Sequence, residues 1–257
     1  LDEGSLIHAM FEVYYTLRAA NPSASLFEHS KGMAEIFTKQ KLYENFGVNT
    51  ERWQFLVIRF TQYLAKYSLS DFIPVVYKSI PAVEVGFSKV IYEDAKYLFL
   101  VESRLDLIVK LAGEQLWVDH KSQASASRLY PYQPQFLTYA WATGFDKGLV
   151  NYFRTAATYN DNYTFVKDLI SFPKWMIAEW EEKLVKLFFQ LAYVLDTYGS
   201  EADSEKFERK RENCGGAFNK TPCQFTPVCE SFSLETRASI KQFNYVKNPP
   251  RRSWELR

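Results

Sequence analysis

The sequence lacks several features that define whole classes of protein. No uncharged apolar run in its 257 residues approaches the roughly 20 residues of a membrane span, and no basic stretch followed by an apolar one marks a secretion signal. There is no internal repeat and no glycine-rich phosphate loop. Lys plus Arg total 31 against 30 for Asp plus Glu, so no basic excess drives nonspecific nucleic-acid binding. We therefore expect a soluble protein that holds any anionic partner locally.

Cysteine is scarce. Three cysteines in a chain of this length cannot form a disulfide framework, which favours a reducing compartment and leaves metal binding open. Hydrophobic residues make up 47% of the chain and charged residues 24%, which excludes disorder and predicts one large domain or two small ones. The chain opens with Leu1 rather than Met, and a helical pattern starts almost at once. We therefore expect further sequence upstream.

The apolar pattern changes along the chain from helical spacing to strand-like runs. It predicts helices over 5–19, 30–46 and 51–67, strands at 82–91, 97–110 and 115–122, a helix at 134–143, a strand at 148–158 and a helix over 173–198. Asn160-Asp161-Asn162 is typical of a hairpin turn. After Gly199 the composition becomes strongly charged, then cysteine-containing, then polar and basic.

Two neighbouring strands carry the residues most suggestive of chemistry. In Asp119-His120-Lys121 the side chains of Asp119 and Lys121 share one strand face, while His120 points to the other. The preceding strand, paired through a short Ala-Gly-Glu turn, brings Asp106 alongside Asp119. Two carboxylates beside a lysine outline a divalent-cation site, and a lysine near a metal-bound water can orient it for attack. The implied chemistry is phosphodiester hydrolysis.

An isolated Asp-x-Lys is also common on ordinary exposed strands. Here Trp117 and Val118 indicate that the strand is buried at its start. Charges near the end of a buried strand are costly unless they are paired or bound to a ligand. This context favours a functional site over a solvated strand face.

These motifs resemble the PD-(D/E)xK nuclease superfamily, specifically the RecB-type exonucleases that include AddB and the CRISPR-associated RecB-like nucleases. Ser103-Arg104-Leu105-Asp106 is similar to the family's G-x-h-D strand, with serine in place of glycine, and Asp119-His120-Lys121 to its (D/E)-h-K strand, with a polar middle residue. Gln135 and Tyr139 match the Q-x-x-x-Y helix and share one helix face. The resemblance implies an α/β fold with a restriction-endonuclease-like core, a mixed central sheet, an N-terminal helical region and a C-terminal cysteine loop.

The resemblance extends upstream of the two strands. Gly4-Ser5-Leu6-Ile7-His8 is similar to the family's G-x-x-x-H motif, whose histidine joins the metal site, and Glu84 matches an acidic residue before the first aspartate. A lone helical histidine and a solvated strand glutamate are the competing interpretations. The resemblance implies that His8, Asp106, Asp119 and the main-chain carbonyl of His120 hold Mg²⁺ or Mn²⁺. It implies catalytic roles for Asp106, Asp119 and Lys121, with support from Glu84, Gln135 and Tyr139.

The three cysteines lie together near the C-terminus, and soft thiolates in a Gly/Pro-containing loop favour zinc or an iron–sulfur cluster. Cys214, Cys223 and Cys229 resemble the 4Fe-4S site of the iron–sulfur branch of RecB-type nucleases, apart from a longer first gap. That resemblance places the fourth ligand upstream of Leu1. Three unligated cysteines in a surface loop are the alternative.

Contacts to DNA are less clearly marked in the sequence. Basic residues cluster at 206–211 and 247–252, although glutamates interleave the first cluster. Tyr130, Tyr132 and Phe136 adjoin the Gln-x-x-x-Tyr helix, where they could stack on unpaired bases or simply fill the core.

The expected protein is a metal-dependent DNA exonuclease acting on single strands or DNA ends in recombination, repair or CRISPR-type DNA processing, with a possible partner protein from those pathways and no membrane. The alternatives are an endonuclease of the same superfamily, and a non-cutting DNA-binding or scaffold module with a structural cysteine–metal site. We expect one cytoplasmic nuclease domain over 1–257: a mainly helical part at 1–80, a catalytic core at 81–172, and a long helix, cysteine loop and basic tail at 173–257.

Overall fold

The fold is mixed α/β, as the sequence predicts, with a five-stranded central sheet. The computed structural model describes residues 3–67, 72–123, 131–160 and 162–198. Its helices are α1 (Glu3–Ala20), α2 (Leu26–Lys39), α3 (Thr50–Lys66), α4 (Pro134–Thr143) and α5 (Lys174–Tyr198), with a 3₁₀-helix at Leu42–Phe46. Its strands are β1 (Val76–Tyr77), β2 (Ile80–Pro81), β3 (Val83–Glu93), β4 (Leu98–Leu111), β5 (Glu114–Gln123), β6 (Lys147–Arg154) and β7 (Phe165–Ser171).

The central sheet has the order β3-β4-β5-β6-β7, and only β5 and β6 are parallel. A parallel pair needs a crossover connection, which α4 supplies between them. Proline at the first turn of α4 and Gly144 in a left-handed conformation at its end fix where this helix starts and stops. The β4–β5 hairpin turns through Ala112 and Gly113, which both have positive φ, as a two-residue turn of this kind requires.

Helices cover both faces of the sheet, because strand side chains alternate between two cores. One core joins α1, α2 and α3 to inward-facing residues such as Leu107, Val109 and Val118. The other joins α4 and the start of α5 to Ile108 and Trp117. Side chains on the two faces of β5 therefore pack against different helices, and the residues that follow Val118 alternate between these two sides.

The structure corrects three details of the predicted elements. The helix predicted over 30–46 is instead α2 and a 3₁₀-helix, because Lys41 adopts a left-handed conformation, and α2 starts earlier at a capping box on Ser25. The strand predicted at 148–158 ends at Arg154. Strand β7 was not predicted, and it pairs antiparallel with β6, as the hairpin signal after β6 indicates. Asp161 of that signal lies outside the described residues.

The chain divides into two compact units at a point inside α5, between Val185 and Lys186. The sheet and the residues of the candidate active site belong to the first unit. Of the second unit the structure describes the rest of α5, as far as Tyr198. No helix in the described ranges is long and apolar enough to cross a membrane.

Candidate active site

The site lies where strands β4 and β5 separate. Their pairing runs from Leu111↔Glu114 to Leu107↔Val118 and stops there, while β4 continues against β3 and β5 against β6. Asp106 and Asp119 are the first residues beyond the last pair. The amide of His120, which has no partner on β4, donates instead to Asp106 Oδ2 at 2.6 Å. The separation of the strands, a fork between β4 and β5, thus frees the His120 amide, which fixes the Asp106 carboxylate.

Three side chains from different elements converge at this fork. His8 of α1, Glu84 of β3 and Asp106 of β4 each offer one donor atom, and the three atoms lie within 4.8 Å of one another. His8 Nδ1 is 3.5 Å from Asp106 Oδ2. Glu84 reaches the fork because it lies opposite Asp106, between the pairs Val83↔Leu107 and Val85↔Leu105, and its backbone φ is 52°. A non-glycine residue in this region is strained, and such strain is concentrated at functional sites.

Asp119 anchors a second group of contacts, with residues of β5 and α4. Lys121 Nζ lies 2.8 Å from Asp119 Oδ2 and donates to Gln135 Oε1 at 3.2 Å. Gln135 Nε2 donates to Asp119 Oδ1 at 3.1 Å and to the Tyr139 hydroxyl at 2.6 Å. That hydroxyl lies 3.1 Å from the main-chain oxygen of Arg104, so Tyr139 also holds the edge of β4 that β5 no longer covers.

Comparison with known families identifies this arrangement. The family model described as the PD-(D/E)XK nuclease superfamily matches residues 1–230. The chain belongs to this superfamily. Membership supports a nuclease enzyme whose substrate is nucleic acid, and members generally use Mg²⁺ or Mn²⁺.

The other comparisons add little to the assignment. Among solved structures, one described as "Crystal structure of SSO0001" is similar at 12% identity, over 66% of this chain and 80% of that chain, with a TM-score of 0.33. This likeness is too distant to support an argument about function. No curated protein matches the chain significantly.

The donor set of this PD-(D/E)XK site fits a hard divalent cation. Mg²⁺ and Mn²⁺ prefer carboxylate oxygens, and Mn²⁺ also accepts imidazole. One buried carboxylate oxygen, Glu84 Oε2, accepts no hydrogen bond from the described residues, although Arg104 Nε lies 2.8 Å away. A buried oxygen in this state favours a bound cation. Glu84, Asp106 and Asp119, with His8, would hold it.

Burial sets the protonation of the site. Burial, and then the charge of Asp106, raises the pKa of Glu84 to about 7. Burial also raises the pKa of Asp119, against the opposing charge of Lys121. Burial also acts to raise the pKa of Asp106, but its hydrogen bonds with His8 and with the His120 amide hold that pKa below the usual value. Burial would lower the pKa of His8, but its contact with Asp106 and the surrounding acidic charges raise it. The site therefore holds protons that a cation would displace.

The side chain of His120 lies on the opposite face of β5, inside the helical core. Its ring stacks on Phe11 with centroids 4.0 Å apart and planes 5° from parallel, and Asn151 Nδ2 is 2.8 Å from Nδ1. Burial lowers the pKa of His120 to about 3, so the ring is neutral. A neutral, stacked imidazole occupies the position that is usually hydrophobic in the family. Its main-chain carbonyl remains a predicted metal ligand.

The structure brings most of the predicted site residues into contact and leaves others unplaced. His8, Glu84 and Asp106 meet at one side of the fork, and Lys121, Gln135 and Tyr139 meet around Asp119. Cys214, Cys223 and Cys229, the basic clusters and Tyr130 lie outside the described residues. Phe136 is completely buried and belongs to the core rather than to a base-stacking surface, whereas Tyr132 is 37% exposed.

One contact was missed by the sequence reasoning. Arg104 Nε lies 2.8 Å from Glu84 Oε2. Arg104 was noted only as part of the strand motif, without a role of its own. Its position two residues before Asp106 was the available signal, but the pairing with Glu84 depends on the register between β3 and β4.

Proposed function

We propose that this PD-(D/E)XK protein is a metal-dependent exonuclease that hydrolyses single-stranded DNA or DNA ends. The observation that carries the proposal is the convergence of His8, Glu84 and Asp106, with donor atoms within 4.8 Å, beside the Asp119–Lys121 pair. A divalent cation held there supplies Lewis-acid stabilisation of the phosphate and a lowered pKa for the attacking water.

The protein groups around Asp119 position the reactants. Lys121, held between Asp119 and Gln135, keeps its ammonium at the fork, where it donates a hydrogen bond to the attacking water and fixes its direction. Gln135 donates to the Asp119 carboxylate, and the Tyr139 hydroxyl, which accepts from Gln135, holds that amide in place. Asp106 is oriented by the His120 amide, and His8 packs against it. Every reacting group is therefore fixed by at least one further contact before DNA arrives.

The test compares digestion of end-labelled linear single-stranded DNA with digestion of closed circular single-stranded DNA, each in the presence of Mg²⁺, Mn²⁺ or EDTA. We expect loss of linear DNA only, dependent on the cation. Lys121→Met should slow cleavage by about 100-fold or more, because it removes the group that positions the water. Lys110→Met, which changes an exposed lysine on β4 away from the fork, is the matched control and should cleave normally.

Other outcomes would contradict the proposal in different ways. Cleavage of circular DNA would identify an endonuclease of the same superfamily. No cleavage by a folded protein that binds Mn²⁺ and DNA would identify a non-cutting binding module. Cleavage that survives Lys121→Met would place the chemistry at another site.

The proposal includes a biological setting and a second metal site. Processing of DNA ends is common to recombination, repair and CRISPR-type DNA processing, and a partner protein from such a system would deliver the substrate. The spacing of Cys214, Cys223 and Cys229 supports a 4Fe-4S cluster within the same nuclease domain. Protein purified without oxygen should contain iron and acid-labile sulfide, and Cys223→Ser should lose both. Zinc in place of iron, or no metal, would refute the cluster.

A further inference from the structure

The guanidinium of Arg104 lies at the fork and takes no part in the chemistry described above. Its Nε is 2.8 Å from Glu84 Oε2, and its side chain is 58% exposed, against 23% for Lys121. Within the described ranges, Glu84 is its one ion-pair partner. Lys121, by contrast, is already engaged by Asp119 and Gln135. Arg104 is therefore the more available of these two cations.

The contact between Arg104 and Glu84 leaves most of the guanidinium donors unused. Glu84 Oε2 accepts no hydrogen bond despite the short distance, so the two groups are close but poorly aligned. Arginine presents five N–H donors in a planar fork that suits two phosphate oxygens at once, and it stays charged at any working pH. The exposed edge of Arg104 fits a phosphate better than it fits its present partner.

The negative charge at the fork also favours a cationic side chain at the position of Arg104. Glu84, Asp106 and Asp119 place three carboxylates at the fork, and a DNA strand adds more negative charge there. Arg104 lies two residues from Asp106 along β4, a distance of about 6.6 Å in an extended strand. That distance is comparable to the separation of neighbouring phosphates along a nucleic-acid strand.

We propose that Arg104 binds the backbone phosphate next to the one that is cleaved. This inference rests on the proposed function, because it requires a DNA strand to cross the fork. In the DNA complex the phosphate replaces Glu84 as the partner of Arg104, and the Glu84 carboxylate is left to the cation. Arg104 thereby couples DNA binding to the state of the metal site.

The test measures binding to a fluorescein-labelled single strand by anisotropy over a range of salt concentrations. Lys121→Met serves as the background, so that the DNA stays intact. Adding Arg104→Gln should weaken binding roughly 10-fold and reduce the slope of log affinity against log salt by about 0.7, the loss of one phosphate contact. Adding Arg104→Lys should retain the slope. Adding Lys110→Gln, with the same charge change on the same strand, should leave slope and affinity unchanged.

A second measurement separates substrate binding from a purely structural role. Mn²⁺ binding at pH 8, followed by calorimetry, should be no weaker in Arg104→Gln than in the wild type. Loss of Mn²⁺ binding would show that Arg104 supports the metal site and would overturn the inference. An unchanged salt slope in Arg104→Gln would also overturn the inference about Arg104. The proposed function would still stand if the wild-type protein cleaves DNA. A wild-type protein that neither binds nor cleaves DNA would overturn both proposals.

Discussion

Replacing Glu84 by glutamine should stabilise the metal-free protein at alkaline pH. The pKa of Glu84 rises from 4.5 to about 7 on folding, chiefly through burial. The native state therefore binds this proton more tightly than the unfolded state, and this group lowers the free energy of unfolding as the pH rises from 4.5 to 7. The side chain is only 14% exposed, so solvent screens the effect little. At pH 8 the full cost of ionising Glu84 is about 3 kcal/mol.

The assay is urea denaturation in EDTA, at pH 5 and pH 8, of the wild type and Glu84→Gln. We expect the variant to be more stable by about 3 kcal/mol at pH 8 and by less than about 1 kcal/mol at pH 5, where the native carboxyl is already protonated. Glu102→Gln makes the same chemical change at an exposed position of β4 and should alter stability by less than about 0.5 kcal/mol at either pH.

Addition of Mn²⁺ at pH 8 should reverse this order. A ligand at about 1,000 times its dissociation constant stabilises the native state by about 4.1 kcal/mol, which exceeds the difference of about 3 kcal/mol, and only the wild type retains the Glu84 ligand. If Glu84→Gln is no more stable than the wild type at pH 8 without metal, then ionising Glu84 does not lower the free energy of unfolding, and the reasoning from its raised pKa is wrong. If Mn²⁺ stabilises both proteins equally, Glu84 is not a ligand.

Three further predictions concern the parts of the fold that support the site. Gly148→Ala should destabilise the protein by about 1–3 kcal/mol in urea denaturation, because a Cβ there would lie 2.1 Å from the Trp117 indole; an unchanged stability would contradict this packing. Ser25→Ala removes the capping box of α2 and should cost about 1 kcal/mol without slowing cleavage, so a slower rate would tie α2 to the chemistry. Tyr139→Phe should cost about 1 kcal/mol in urea, since the part-buried main-chain oxygen of Arg104 loses its donor; no loss would mean another group satisfies it.

Local patterns in the sequence were enough to predict much of the site. Alternation along a strand puts Asp119 and Lys121 on one face, and helical spacing puts Gln135 and Tyr139 on one face, whatever surrounds them. The short turn after β4 is also a local feature, and it brings Asp106 near Asp119. These residues meet in the structure as the sequence predicts.

The helix predicted over 30–46 shows where local patterns are insufficient. Its apolar spacing continues past residue 40, but Lys41 turns left-handed and the chain restarts as a 3₁₀-helix. Strand β7 was missed for a related reason, since a short edge strand gains its stability from pairing with β6 rather than from its own sequence.

What the sequence by itself determined is which of Asp106, Asp119, Lys121, Gln135 and Tyr139 share a strand or helix face, and the two strands and one helix that carry these candidate residues. The tertiary structure alone decided three things: that β4 and β5 separate at Asp106, that Glu84 turns into the fork beside His8, and that the ring of His120 faces the helical core. Each depends on contacts between residues far apart in the chain, such as α1 packing on β5 or the strained backbone at Glu84. Such contacts form only when the whole core is assembled, because bringing distant parts of the chain together costs entropy that the contacts within one short segment do not offset.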